Sequence, residues 1–320
     1  MAKEKKKEKK EKEKVEIKPI TLYFYRCPAS VGRKMMEGIR KNANDGILPH
    51  KIFSNSQIQM QHLKIRNKLM QGVMRRFDSE NLPSVGKIGD QDEHPVNMDD
   101  NQFLTKKTHF LYDIHQGFLL YEQRVVSVKT FSSYVNVIAK SAVKFEFVLT
   151  ERAIELLANN KLRLKKMTFK IARPTMDILA DVKTSKLSWI RLMAQGGIET
   201  GSNSMDLVMS GSPVRQRKKN MSLGDHIWET MGLLKEVLNE EHGDKGAVEL
   251  YDEDDDIHHP LDLIADRMKV EVSSEELEPV MRKEGNKSYI DSPKFLNVMK
   301  GKMEEAKPQL SRMFDEEEDG

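Results

Sequence analysis

The chain has 320 residues, 38% apolar and 32% charged, with a formal net charge of +3 at pH 7. That length allows one large domain or two ordinary ones, and no apolar run reaches the roughly 18 residues of a membrane-spanning helix. The single cysteine, Cys27, excludes an intrachain disulfide and a thiolate zinc cage. It fits a reducing compartment, and without the apolar core of a signal peptide in the charged leader the expected location is cytoplasmic.

Residues 3–14 are eight Lys and four Glu, so residues 1–15 bury nothing and are expected to stay solvated. "EIKPITLYFYRC" (16–27) alternates β-branched and aromatic residues and predicts a strand. Ser30 reads as the N-cap of a helix over "VGRKMMEGIRKNAND", with Met35, Met36 and Ile39 on one side. "IQMQHLKIRNKLMQGVMRRF" (58–77) fits a helix or a strand–turn–strand equally well. The Pro, Gly, Asn and Asp of 78–102 predict a loop with no packed face.

"THFLYDIHQGFLLYEQ" (108–123) predicts two strands reversing at His115-Gln116-Gly117. "VKTFSSYVNVIAKS" places Phe131, Tyr134, Val135 and Ile138 at helical spacing, and "VKFEFVLT" (143–150) alternates as a strand. Thr150 caps a helix over "ERAIELLANN". "LRLKKMTFKIARP" (162–174) follows as a strand stopped by Pro174. Residues 175–210 begin helical and pass into "QGGIETGSNS", a flexible loop without the lysine of a phosphate cradle. Ser222 precedes a helix with Ile227, Trp228, Met231, Leu234 and Leu238 on one stripe. The chain closes with a helix over "SPKFLNVMKGKMEEAKPQLSRMF".

These elements predict an α+β fold. A mixed or antiparallel sheet with covering helices would occupy 16–210, and a smaller α/β second domain containing an acidic hairpin would occupy 211–314. An acidic tail follows at 315–320.

The acids Asp252, Glu253, Asp254, Asp255 and Asp256, followed by His258 and His259, invite a metal-centre reading. Adjacent side chains on an extended or turning chain diverge, whereas a metal needs ligands that converge. A strand "AVELYD", a solvated turn and a return strand "IHH" account better for the pattern, with Pro260 opening the next helix. No metal and no cofactor is expected. No Walker loop, G-x-S-x-G or HExxH motif is present, and Cys27, read as a nucleophile beside His50 or His62, is better explained as a packed thiol. A non-enzymatic role is therefore favoured.

Basic residues gather in four clusters. Arg33, Lys34, Arg40 and Lys41 recur on the first helix; Arg66, Lys68, Arg75 and Arg76 lie in 58–77. Lys161, Arg163, Lys165 and Lys166 open a strand, and Arg215, Arg217, Lys218 and Lys219 precede a helix. From Arg26 to Arg76 eleven basic residues face only Glu37 and Asp45, so an uncompensated phosphate-binding surface is expected rather than an ordinary mixed one. No helix-turn-helix, zinc finger or RNP signature points to sequence-specific reading.

The succession "LYFYR", "FLYD…GFLLYEQ", "SVKTFSSYVNVI", "VKFEFVL", "LRLKKMTFKIARP", "VELYDEDDDIH" and "FLNVMKGKMEEAKPQL" resembles, over roughly residues 20–314, the element order of the phage lambda RexA exclusion proteins and related bacterial and prophage proteins. The resemblance implies a homodimeric DNA-binding protein of phage exclusion or anti-phage defence. It transfers no DNA-contacting residue, because the leader, 78–102 and "RQRKK" have no counterpart. The expected function is electrostatic, non-sequence-specific binding of nucleic acid, chiefly duplex DNA. Two alternatives are a metal-dependent nuclease using Asp254, Asp256 and His258, and a sensor binding another defence or phage protein through Met-rich helices.

Overall fold

A computed structural model describes residues 17–53, 56–66, 68–78, 84–86, 93–95, 104–159, 162–172, 195–211, 243–252, 257–284 and 287–314. The fold is α+β, and every strand pair among the described residues is antiparallel.

The first strand, β1 (Ile20–Arg26), arises as its alternation predicts, and α1 (Ala29–Asn42) follows it. The helix is entered through Pro28, in extended backbone, so Ser30 lies inside it rather than at the cap. The ambiguous 58–77 stretch resolves into strands. β2 (Lys51–Phe53), β3 (Ser56–Arg66) and β4 (Leu69–Asp78) form a meander. Within 78–102, Asp78 ends β4 and β5 (Ser84–Gly86) pairs with β6 (Glu93–Pro95); the rest lies outside the described residues.

β7 (Leu104–Asp113) and β8 (Phe118–Tyr121) reverse where expected, with Gly117 at φ +77° beside the Cys27 carbonyl. α2 (Val128–Ala139) is capped by Ser127, whose hydroxyl accepts from the Thr130 amide. Only Glu146–Phe147 of the expected 143–150 strand forms β9. The same edge of β1 is already taken by β14 (Lys269–Val272), which leaves room for two ladder residues.

The eight-stranded sheet runs β14–β1–β8–β7–β4–β3–β2, with β9 beside β1. Alternation sends Met60, Met70, Met74, Phe110 and Tyr112 to one face, against Met35 and Ile39 of α1 and Phe131 and Tyr134 of α2. Val73, Leu111, Phe24 and Leu120 go to the other, against Phe295, Leu296, Met299 and Met303 of the closing helix α5 (Ser292–Phe314). Each such buried side chain contributes roughly 1.5–3 kcal/mol. The two helices on the first face meet closely: a Cβ on Gly38 would stand 2.5 Å from the Ala139 carbonyl oxygen.

After α3 (Glu151–Ala158), β10 (Leu162–Ala172) is one of the two inner strands of a second sheet. Its order is β11–β10–β12–β13, from β11 (Ser204–Ser210), β12 (Gly243–Asp252) and β13 (Ile257–Asp262). Residues 195–199 of the expected loop "QGGIETGSNS" are helical, with the Thr200 hydroxyl donating to the Gly196 carbonyl at 2.7 Å. The expected helix after Ser222 lies outside the described residues.

The acidic hairpin forms between β12 and β13, but Pro260 sits within β13 and opens no helix. An edge strand tolerates its missing N–H. Asp262 then accepts from the amides of Ile264 and Ala265, closing a turn where a helix was expected.

Strand pairing crosses the boundary expected at 210/211. β10 and β11 join β12 and β13, while β14 returns to the first sheet. Leu164, Phe169, Leu250 and Leu263 share one apolar cluster with Tyr25 and Phe131. α4 (Ser274–Leu277) carries a capping box between Ser273 and Glu276. The hairpin β15 (Met281–Glu284)–β16 (Lys287–Ile290) then leads into α5. No helix among the described residues is long and apolar enough to cross a membrane.

Candidate nucleic-acid interface

β3 alternates Gln57, Gln59 and Gln61 with the core residues Ile58 and Met60, so the glutamines share the α5 side of the sheet with Val73. An irregularity between Gln61 and Lys64 places His62 at φ +53° and keeps Leu63 in the core. It also sets Lys64 opposite Gln71 and Arg66 opposite Leu69, on that polar side. Across the sheet Gln59 faces Arg75, and Arg75 faces Lys107. The Lys107 ammonium lies 5.9 Å from the ring centroid of Tyr289, which is 41% exposed.

The charges of this face act on one another. Burial pushes the Arg75 guanidinium below its ordinary value, and its Nε is buried without a hydrogen-bond acceptor. Burial and then Arg75 push Lys107 down, with Asp291 opposing. His62 is held below the usual imidazole value by burial, then by Arg75, Lys107 and Lys64. Asp291 acts on Lys107 from beyond salt-bridge distance and is itself paired with Arg282. Burial raises its carboxyl, but the Lys294 amide and Arg282 outweigh burial and hold it below the ordinary range. Cations crowded so that Arg75 lowers both Lys107 and His62 mark this face as a candidate anion site.

Of the residues singled out by sequence, the structure brings Arg66 and Arg75 onto this side of the sheet, with Lys68 at the β3–β4 reversal. Arg33, Lys34, Arg40 and Lys41 are exposed on α1, which covers the opposite side, and Arg76 points to that side opposite Lys106. Arg163, Lys165 and Lys166 lie on β10 of the second sheet. Lys161, Arg215, Arg217, Lys218 and Lys219 lie outside the described residues. The basic residues therefore do not form one surface: α1 and Arg75 occupy opposite sides of a sheet.

Lys64, Lys107 and Tyr289 were missed by the sequence reading, which named His62 only as a neighbour for Cys27. The one available signal was the Gln-apolar alternation of β3, which marks a strand with one wet face.

The described residues beside the acidic run have partners of their own. Among the described residues no group of three His, Cys, Asp or Glu could hold a metal ion. Glu253, Asp254, Asp255 and Asp256 lie outside them. His258 Nδ1 is bonded to Glu249, and Lys165 Nζ lies 3.2 Å from its Nε2 and 5.2 Å from the Tyr251 ring centroid. An ammonium can only donate, so Nε2 accepts and Nδ1–H donates to the carboxylate. In this arrangement the Nδ1 faces a carboxylate and the Nε2 an ammonium, so neither ring nitrogen is turned to an open position.

Cys27 is fully buried, and burial, partly offset by a Tyr112 hydrogen bond, pushes its thiol up to about 11. That overturns the nucleophile reading.

His109 joins two buried partners in a geometry resembling a hydrolase triad. Its Nδ1 lies 2.6 Å from Glu122 Oε2, and its Nε2 lies 3.0 Å from Ser292 Oγ. The three residues are 1%, 2% and 4% exposed, with the Phe295 ring 4.8 Å from the imidazole, so a substrate has no approach. The network ties the start of α5 to β7 and to Glu122, the residue after β8.

Comparison with protein-family models, with curated proteins and with solved structures finds no match to this chain.

Proposed function

We propose that the chain binds nucleic acid, chiefly duplex DNA, through backbone phosphates held on the β3–β4–β7 face. The observation that carries this reading is Arg75 opposite Lys107. Among the described residues neither has a carboxylate within salt-bridge distance, and Lys64 and Arg66 lie on the same side. Phosphates supply the missing counter-charge and release condensed cations as they bind. The contacts are electrostatic, so binding is not sequence-specific.

The test is retardation of a duplex of about 30 base pairs at increasing salt. Four neutralised phosphates give a log–log slope of about −3 to −4, and an affinity loss of roughly a hundredfold between about 50 and 200 mM salt. A flat response, or full binding by a variant carrying Lys64→Glu with Lys107→Glu, overturns the reading. A role in phage exclusion or anti-phage defence, a homodimeric state and a cytoplasmic location belong to the same proposal. The first two draw on the element-order resemblance and the last on the single cysteine.

A further inference from the structure

The β15–β16 hairpin meets the basic face at Lys107, and strand parity divides its two sides. Ile290 packs into the apolar cluster of Phe295, Leu296 and Met299, so Tyr289 before it turns to the opposite side. Tyr289 is 41% exposed, and Lys107 Nζ stands 5.9 Å from its ring centroid. Arg282, directly opposite Tyr289 in the hairpin, shares that side and is tied to Asp291. Core burial therefore does not explain where this aromatic ring stands.

The chain on either side of the ring is anchored. The Asp291 amide donates to the Val280 carbonyl at 2.8 Å, and Ser292 Oγ lies 3.0 Å from His109 Nε2. His109 is two positions from Lys107 on β7, on the same side of the sheet. The same anchor thus sets the ring beside the Arg75–Lys107 pair.

A duplex has little use for such a ring. Its bases are already stacked on one another, and its flank presents sugar and phosphate. An unpaired nucleotide offers a bare base to the ring while its phosphate stays beside Lys107 and Arg75. Aromatic side chains next to cations that track the backbone hold single strands in this way.

We infer that Tyr289 is a stacking platform for an unpaired base, so that this face takes the junction between a duplex and a single-stranded extension. The inference rests on phosphate binding by the β3–β4–β7 face and names the form of nucleic acid held there.

The experiment measures fluorescence anisotropy of the full chain with two labelled DNAs. One is a blunt duplex of about 25 base pairs, the other a duplex of about 20 base pairs with a tail of about ten nucleotides. Both carry the same number of phosphates, so net charge does not separate them. The tailed duplex is expected to bind at least about fivefold tighter. Tyr289→Leu removes that preference and leaves the blunt duplex bound as before, whereas Tyr289→Phe keeps it. A 5-iodouracil in the tail photocrosslinks to the peptide that carries Tyr289.

Equal affinity for the two DNAs overturns the inference and leaves duplex binding standing. So does an equal loss for both in Tyr289→Leu with native circular dichroism. Tyr289-dependent binding of the tailed DNA without any of the blunt duplex keeps the platform and overturns duplex binding. Crosslinking confined to other peptides overturns the platform without recourse to a variant.

Discussion

Arg75 on β4 and Lys107 on β7 stand directly opposite each other, two cations on one side of an antiparallel pair. Like charges at such positions destabilise a sheet by roughly 0.2–1 kcal/mol, and the buried Arg75 Nε finds no acceptor. Arg75→Met is therefore expected to raise stability by about 1 kcal/mol while weakening duplex binding. Urea unfolding and gel retardation on the same preparation measure the two effects. A variant that loses stability and keeps its affinity gives Arg75 a structural role instead.

The pH dependence of binding follows from His62. Burial, then Arg75, Lys107 and Lys64, keep its imidazole below the ordinary value, so the free fold favours the neutral ring. The unfolded chain takes up that proton first, and this contribution to stability falls as pH drops below the unfolded value. Bound phosphates oppose the neighbouring cations and raise the imidazole again, so binding takes up a proton. Affinity should increase from about pH 7.5 to pH 5.5, and His62→Gln should reduce the increase. An identical profile in that variant removes His62 from the interface.

The buried His109 network predicts a large structural cost. His109→Ala leaves the Glu122 carboxylate, 3% exposed in its side chain, with the His109 amide at 3.1 Å and Arg124 at 3.8 Å. A loss of about 3 kcal/mol or more is expected from denaturant midpoints. Ser292→Ala, which removes only a neutral hydroxyl, should cost about 1 kcal/mol. Equal losses in the two variants would contradict this ordering of partners.

Cys27 provides a check on the first core. With its thiol pushed up to about 11, only about a thousandth is thiolate at pH 8. Alkylation of the native protein should be at least about a hundredfold slower than in urea. Comparable rates would mean that the β1–α1 junction opens readily.

Regular alternation or helical spacing made several elements legible: β1, α2, the β7–β8 reversal, the β12–β13 hairpin and α5. The 58–77 stretch was ambiguous because the irregularity at His62 shifts the period of two. The expected helix after Pro260 gave way to an Asp262 turn, a competition between side chain and backbone that periodicity does not register. Residues 143–150 were curtailed by β14, a strand more than a hundred positions later on the same edge of β1.

The candidate interface divides along the same line. Charge clusters are local properties of the chain, so Arg66, Lys68 and Arg75 stood out from their neighbours alone. The partner of Arg75 is 32 positions away, brought opposite by ladder register, and the side each cation faces depends on strand parity. Sheet order separates Arg75 from α1, while the hairpin before α5 brings Tyr289 to Lys107. Local propensity depends on neighbours within a few residues; which charges share a surface depends on long-range pairing and burial, which only the assembled core decides.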